Sequence, residues 1–276
     1  MKRLAFILLF CCPWAFGQKI TSWDLNEELE EISGIEYLND TTLVAINDGG
    51  NSNELFLLDL EGKIVRKVEI TGALNTDWED ITRDKHHLYI GDFGNNKNGR
   101  KDLRILKVKV SEVLNQDQVG FEEIQFNYAD QSAFPPNRDS LFYDAEGLAA
   151  NGDSLYVFTK DRSDPSIGNS HVYVLPKTPG SYEIKVRYRL NLGTGGFWTD
   201  AVTAADYCSG YFYLSTYTRI IIFEFKGSKF KKKKEIEFDE FSQKESLVVG
   251  PERQFYYADE RQHLLGGGKL YNHKRK

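Results

Sequence analysis

The sequence predicts an all-β chain folded as a β-propeller of five blades, closed by pairing its N-terminal and C-terminal strands. Three observations carry this. Stretches with apolar residues at helical spacing are scarce, while short aromatic and β-branched runs recur between turn residues. Those runs return in the same order five times, with second strands starting 43 to 67 residues apart, and periods of about 40–50 residues mark propeller blades. The fifth repeat then runs out of chain, while one strand-like segment stands unassigned ahead of the first.

Each repeat opens on an acid followed by small or apolar residues: EISGI at 31–35, DWEDI at 77–81, DAEGL at 144–148, TDAVT at 199–203 and KESL at 244–247. A second strand begins nine to twelve residues after the acids Glu31, Glu79, Glu146, Asp200 and Glu245, at 43–48, 88–92, 155–161, 212–217 and 255–259. That separation suits a hairpin with a variable turn. Third strands follow at 54–59, 103–107, 171–175, 221–225 and, more weakly, 269–272, and fourth strands at 64–70, 121–128, 182–190 and 234–238. Residues 20–25 are then expected to supply the fourth strand of the last blade, which removes the open edge of an unclosed array. A six-bladed count requires a further repeat hidden within 109–143.

Compartment and charge come from the ends and the balance. Met1, Lys2 and Arg3 precede an apolar run at 4–10, too short to span a bilayer and suited to a signal peptide. Ala15 and Gly17 fit a cleavage site, so residues 18–276 are expected to form one exported propeller domain, periplasmic or secreted. The alternative is a lipid on Cys11 or Cys12, although Phe10 stands where a small residue usually precedes such a site. No later run is apolar enough for a transmembrane segment. Without residues 1–17 the formal charge moves from -6 to -8 through loss of Lys2 and Arg3, and Cys208 is the one cysteine left. A disulfide framework is thereby excluded, and an acidic chain argues against a nucleic-acid partner. The basic run at 231–234 precedes an alternating stretch and reads as a solvated edge strand.

Topology locates a site. In an up-and-down blade the first strand begins and the second ends at one face of the propeller. The loops expected there, at 49–53, 94–101, 130–143, 162–170 and 191–199, are long or polar, and long loops on a rigid scaffold are where binding resides. The acids Glu31, Glu79, Glu146, Asp200 and Glu245 fall nearest the axis at that face, with Ser33, Thr203 and Ser246 beside them. Several carboxylates around one axis repel one another and require raised pKa values, cationic partners or a bound cation. Calcium suits such a set, since it takes six to eight oxygen ligands in flexible geometry. The plain alternative is that these acids cap backbone amides in the turns entering each inner strand. Asp92, Arg100, Asp161, Arg162, Arg219 and Asp259, at the upper ends of second strands and in adjoining loops, are candidates to meet a small anionic ligand, with exposed ion pairing as their plain alternative.

DWEDI at 77–81, followed by LYIGDFGN at 88–95 with EISGI upstream, resembles an uncharacterised group of exported bacterial propeller proteins, chiefly over the first three repeats. The wider pattern is also similar to the calcium-dependent apyrases, five-bladed propellers whose axial cation is held by glutamate and serine side chains of successive blades. Glu79 with the LYIG segment resembles the apyrase Glu-Trp and Leu-Tyr-Val-Gly pair, with Trp78 preceding the glutamate here, and Glu146 and Glu245-Ser246 stand at comparable positions. The resemblance implies an axial calcium. Its nucleotide-binding arginines have no counterpart, and Asp200 or Thr203 stands where the fourth repeat would carry a glutamate. Two functions are therefore expected: an extracytoplasmic module binding a small ligand, a glycan or a protein, or a calcium-dependent phosphohydrolase, apyrase- or phytase-like.

Overall fold

A computed structural model describes residues 19–250, 254–262 and 266–274, and in these the chain forms a five-bladed β-propeller. Blade 1 comprises Ile32–Asn39, Thr42–Asn47, Glu54–Leu58 and Ile64–Ile70, from the axis outward, and blade 2 comprises Trp78–Arg83, His87–Asp92, Arg104–Lys109 and Glu122–Tyr128. Blade 3 is built from Asp144–Asn151, Ser154–Lys160, Asn169–Pro176 and Tyr188–Asn191, and blade 4 from Val202–Cys208, Tyr211–Thr216, Arg219–Lys226 and Lys229–Glu237. Blade 5 takes Lys244–Val249, Phe255–Asp259 and Lys269–Lys274 from one end of the chain and its outer strand, Lys19–Asp24, from the other. The closing pair is antiparallel, from Lys19 opposite Lys274 to Asp24 opposite Lys269. The signal peptide, its cleavage site and the two early cysteines lie outside the described residues.

Alternation along the strands explains the packing. Each blade presents one apolar face to the blade before it and one to the blade after, so the core is five clusters, one per interface. Leu55, Trp78 and Ile90 meet between blades 1 and 2, whereas Phe158, Phe212 and Phe223 meet between blades 3 and 4. Burying a side chain of this size contributes roughly 1.5–3 kcal/mol. The abundant aromatics are thus largely inter-blade packing.

Two segments depart from the expected elements. Residues 182–190 are not one strand. Gly180–Ile184 pairs in parallel with the outer strand of blade 2, where Tyr182 and Ile184 pack with Phe126 and Tyr128. Tyr188–Asn191 alone is the outer strand of blade 3, with Leu190 in the next cluster. Residues 109–143 hide no sixth blade: Val110–Asn115 is a short helix and Gln118–Val119 adds in parallel to the outer strand of blade 1. Val110, Val113 and Val119 extend the first cluster, which is why the segment is apolar.

The inner strands pack side by side in chain order, the last against the first. Each carries a register shift at the same place, so that Ser33, Glu79, Glu146, Thr203 and Glu245 are the bulged residues of blades 1 to 5. A bulge leaves one residue unpaired and re-aims its side chain. Just below the bulges the axis is dense. A Cβ added at Gly147 would lie 2.8 Å from that of Ala205, and one at Gly34 would lie 2.9 Å from the Ile81 nitrogen. Asp80 fills the remaining space, accepting backbone N–H bonds from Ile81 at 2.8 Å, Leu148 at 2.8 Å and Ala205 at 3.0 Å.

Candidate functional site

Above this closed section the axis opens into a cavity of about 250 Å3. The bulged residues Ser33, Glu79, Glu146 and Glu245 enter it, and the ends of second strands bring Asp48, Lys160, Tyr217 and Glu260. Loops complete the wall with Asn96, Arg162, Phe197, Trp198 and Gln243. Five carboxylates therefore face two cations. A wider depression at the opposite end of the axis contains Glu36 and Arg83, but both turn to backbone: the Glu36 carboxylate accepts from the Tyr37 nitrogen, and Arg83 donates to the carbonyls of Tyr37 and Leu38.

The cations are not spread evenly. Lys160 Nζ lies 2.9 Å from Glu146 Oε2 and 3.9 Å from Glu245 Oε2. Arg162 donates from Nε to Asp144 at 2.5 Å and from Nη2 to Glu146 at 3.1 Å, and bonds Asn96 as well. Glu79 is treated differently. It is 7% exposed, and among the described residues its carboxylate accepts no hydrogen bond and closes no ion pair. Its oxygens belong to two carboxylate triads, Asp48–Asp77–Glu79 and Glu79–Asp144–Glu146, each with one oxygen per residue within 4.8 Å of the others. Glycine makes room for the first triad: a Cβ at Gly94 would lie 2.0 Å from Glu79 Oε1, and one at Gly49 would lie 2.6 Å from Asp77 Oδ1.

Crowding and burial raise the proton affinities. Burial, then the charges of Glu146, Asp48 and Asp144, hold the Glu79 carboxyl well above the usual glutamate range. Asp48 is pushed to about 7 by burial and by Asp77, while Asp77 reaches about 6 through burial and Asp144. Burial and the charge of Glu245 lift Glu260 to about 8. At Lys160, burial opposes the charge but Glu146 and Glu245 outweigh it, so the ammonium is held above the usual lysine range. Carboxyl groups with raised proton affinity would give up their protons to a bound divalent cation.

Of the positions singled out from the sequence, Ser33, Glu79, Glu146, Glu245 and Arg162 come together in the cavity. Thr203 is the buried bulge residue of blade 4, its hydroxyl without a partner among the described residues. Glu31 and Asp200 stand outside the ring, because the bulges fall at Ser33 and Thr203 rather than at the acids upstream. Glu31 is exposed and accepts from Asn51, and Asp200 is buried against Arg219 at 2.7 Å and the Gly195 nitrogen at 2.6 Å. Arg219 also donates to the carbonyls of Leu192 and Thr199, both at 2.8 Å.

Asp92 accepts from Arg100 at 3.0 Å and Arg104 at 2.9 Å. Asp161 caps the turn after its strand, taking bonds from the nitrogens of Ser163 and Ile167, and Asp259 accepts from Tyr271 and the Lys269 nitrogen. Ser246 accepts from the Ala258 nitrogen. These side chains brace the upper loops instead of lining the cavity. Asp48, Lys160, Tyr217 and Glu260 did not stand out in the sequence. Their signal is their place at the ends of the recurring second strands, where Lys160 stands one residue before Asp161 and Glu260 one residue after Asp259.

No protein-family profile matches the chain, and no curated protein matches it. Solved structures share its fold. The glutaminyl cyclase of Myxococcus xanthus superposes with a TM-score of 0.57 at 9% identity, over 93% of this chain and 96% of that one. The PQQ-bound aldose sugar dehydrogenase of Streptomyces coelicolor gives 0.52 at 12% identity, over 92% and 98%. At such identities the likeness is one of fold: β-propellers of the sugar-dehydrogenase kind are among the neighbours. Among the described residues no helix is long and apolar enough to cross a membrane.

Proposed function

We propose that this chain is an exported binding propeller that holds a hard divalent cation, calcium, at the upper end of its axis and presents a ligand site around it. One observation carries the reading: Glu79, more than nine-tenths buried and without a hydrogen-bond or ion-pair partner among the described residues, stands where two carboxylate triads meet. A buried charge without a partner costs several kcal/mol and otherwise neutralises itself. Asp48, Asp77 and Glu79 would supply hard oxygen ligands from blades 1 and 2, with Asp144 and Glu146 closing the far side. An all-oxygen set of this flexibility suits calcium better than zinc, which takes nitrogen and sulfur. Export rests on the charged start and apolar run of residues 1–10.

Hydrolysis of phosphate compounds finds less support. Of Arg162 and Arg219, offered by the sequence to balance a phosphate, Arg162 lines the cavity but is engaged with Asp144 and Glu146, and Arg219 is engaged with Asp200. The expected result is therefore binding: calcium at a hundredfold excess over its dissociation constant adds about 2.7 kcal/mol. For a chain of this size that is a rise in Tm of roughly 5–10 °C. Glu79→Gln is expected to remove most of the rise while leaving the protein folded. A native protein whose Tm ignores calcium, or a variant that responds as the native does, would sink the reading.

A further inference from the structure

The cavity has an aromatic lip on one side only. Phe197 and Trp198 come from the single helical turn Phe197–Asp200, Tyr217 follows the second strand of blade 4, and Phe241 belongs to the loop entering blade 5. The ring centroid of Trp198 lies 5.2 Å from that of Phe197, 5.5 Å from Tyr217 and 6.1 Å from Phe241. Trp198 is nevertheless 58% exposed and Phe241 47% exposed. Exposed large aromatics grouped at the mouth of a polar cavity mark a binding surface.

The lip is fixed by polar bonds beneath it. Asp200, two residues after Trp198, is held by Arg219 and the Gly195 nitrogen, and Arg219 also grips the carbonyls of Thr199 and Leu192. This buried ion pair accounts for two side chains that the cavity does not use. It presents Trp198 to solvent on an anchored turn, so little ordering cost falls on a ligand that stacks there.

Charge balance narrows the ligand class, and here the inference rests on the calcium reading. Seven carboxylates, counting Asp77 and Asp144 behind the five that line the cavity, outnumber the charges of Lys160, Arg162 and one divalent cation, so no positive charge is left over to hold an anion. The lip lies over the cationic side, with Lys160 Nζ 5.3 Å from the Tyr217 ring and Arg162 5.4 Å from the Phe197 ring. Blade 4 also faces the border of blades 1 and 2 across the ring, away from the triad of Asp48, Asp77 and Glu79. What remains to be recognised is neutral, with polar edges and one apolar face. At about 250 Å3 the space is below the roughly 300–1,000 Å3 of sites for drug-sized molecules.

We propose that the axial site receives a neutral carbohydrate, a single pyranose unit, stacked on Trp198 with its hydroxyls toward Lys160, Glu146 and Gln243. Calorimetry on the calcium-loaded protein with D-glucose, D-galactose and N-acetylglucosamine, with choline as an organic-cation probe, tests it. At least one sugar is expected to bind. Trp198→Ala should weaken that binding tenfold or more while keeping the calcium-dependent rise in Tm, and Trp198→Phe should restore most of it. No sugar binding, choline binding in place of sugar, or Trp198→Ala binding as the native does would overturn the proposal. A calcium response without sugar binding sinks this inference alone. Sugar binding that depends on Trp198 but survives in a protein indifferent to calcium sinks the cation alone.

Discussion

Glu79 and Asp80 are adjacent carboxylates with opposite employment. Asp80 accepts three backbone N–H bonds from three blades, while Glu79 accepts none among the described residues. Asp80→Ala therefore strands three buried donors at about 1–3 kcal/mol each, and urea unfolding should show a loss of roughly 3 kcal/mol or more. A loss under about 1 kcal/mol would mean that water replaces the carboxylate. Glu79 makes a different prediction, through pH. Its carboxyl, like those of Asp48 at about 7, Asp77 at about 6 and Glu260 at about 8, is raised in the fold above its unfolded value. The folded chain then holds protons that the unfolded chain has released, and this contribution to stability, complete at low pH, is lost as pH rises through 6–8. His87 and His171, lowered mainly by burial, act in the opposite sense, adding stability to the fold as pH rises through the histidine range. The difference between Glu79→Gln and native protein cancels them. Measured without calcium, the variant should gain in Tm on the native protein from pH 5 to pH 8, and a constant difference would show that Glu79 is ionised throughout.

At the scale of the element, the bulge decides the site. Second, third and closing strands were legible because β-branched and aromatic runs bounded by turn residues announce them, as at 88–92 and 221–225. The ring of acids was legible in outline: Glu79, Glu146 and Glu245 do enter the cavity. Its exact members were not. One extra residue in each inner strand reverses which side chains face the axis, and of the candidates named in blades 1 and 4 the bulges hold Ser33 and Thr203, while the acids Glu31 and Asp200 lie ahead of them. The same parity hid Lys160, which lines the cavity while Asp161 turns away to cap its loop. Residues 182–190 misled for another reason. Their apolar positions serve two different blades, Ile184 in one cluster and Leu190 in another, and no local pattern records which sheet a strand joins.

For the whole molecule, closure governs the site. Blade 5 supplies Glu245 and Glu260 and blade 1 supplies Ser33 and Asp48, so the cavity is complete only while these blades stay in contact. Their interface holds Leu25, Leu29, Tyr256 and Leu270, and the strand Lys19–Asp24 covers the outer edge of Lys269–Lys274. The pairing joins residues from opposite ends of the chain, and its ladder bonds contribute about 0.5–1.5 kcal/mol each. Deleting residues 19–24 leaves an unpaired strand edge that invites association. The truncated protein is expected to lose several kcal/mol, which is roughly 10 °C or more in Tm, to self-associate in sedimentation, and to show a smaller calcium response. A truncated chain that stays monomeric with an unchanged Tm would mean that inter-blade packing alone holds the ring shut, and that the shared blade is a consequence of closure instead of its cause.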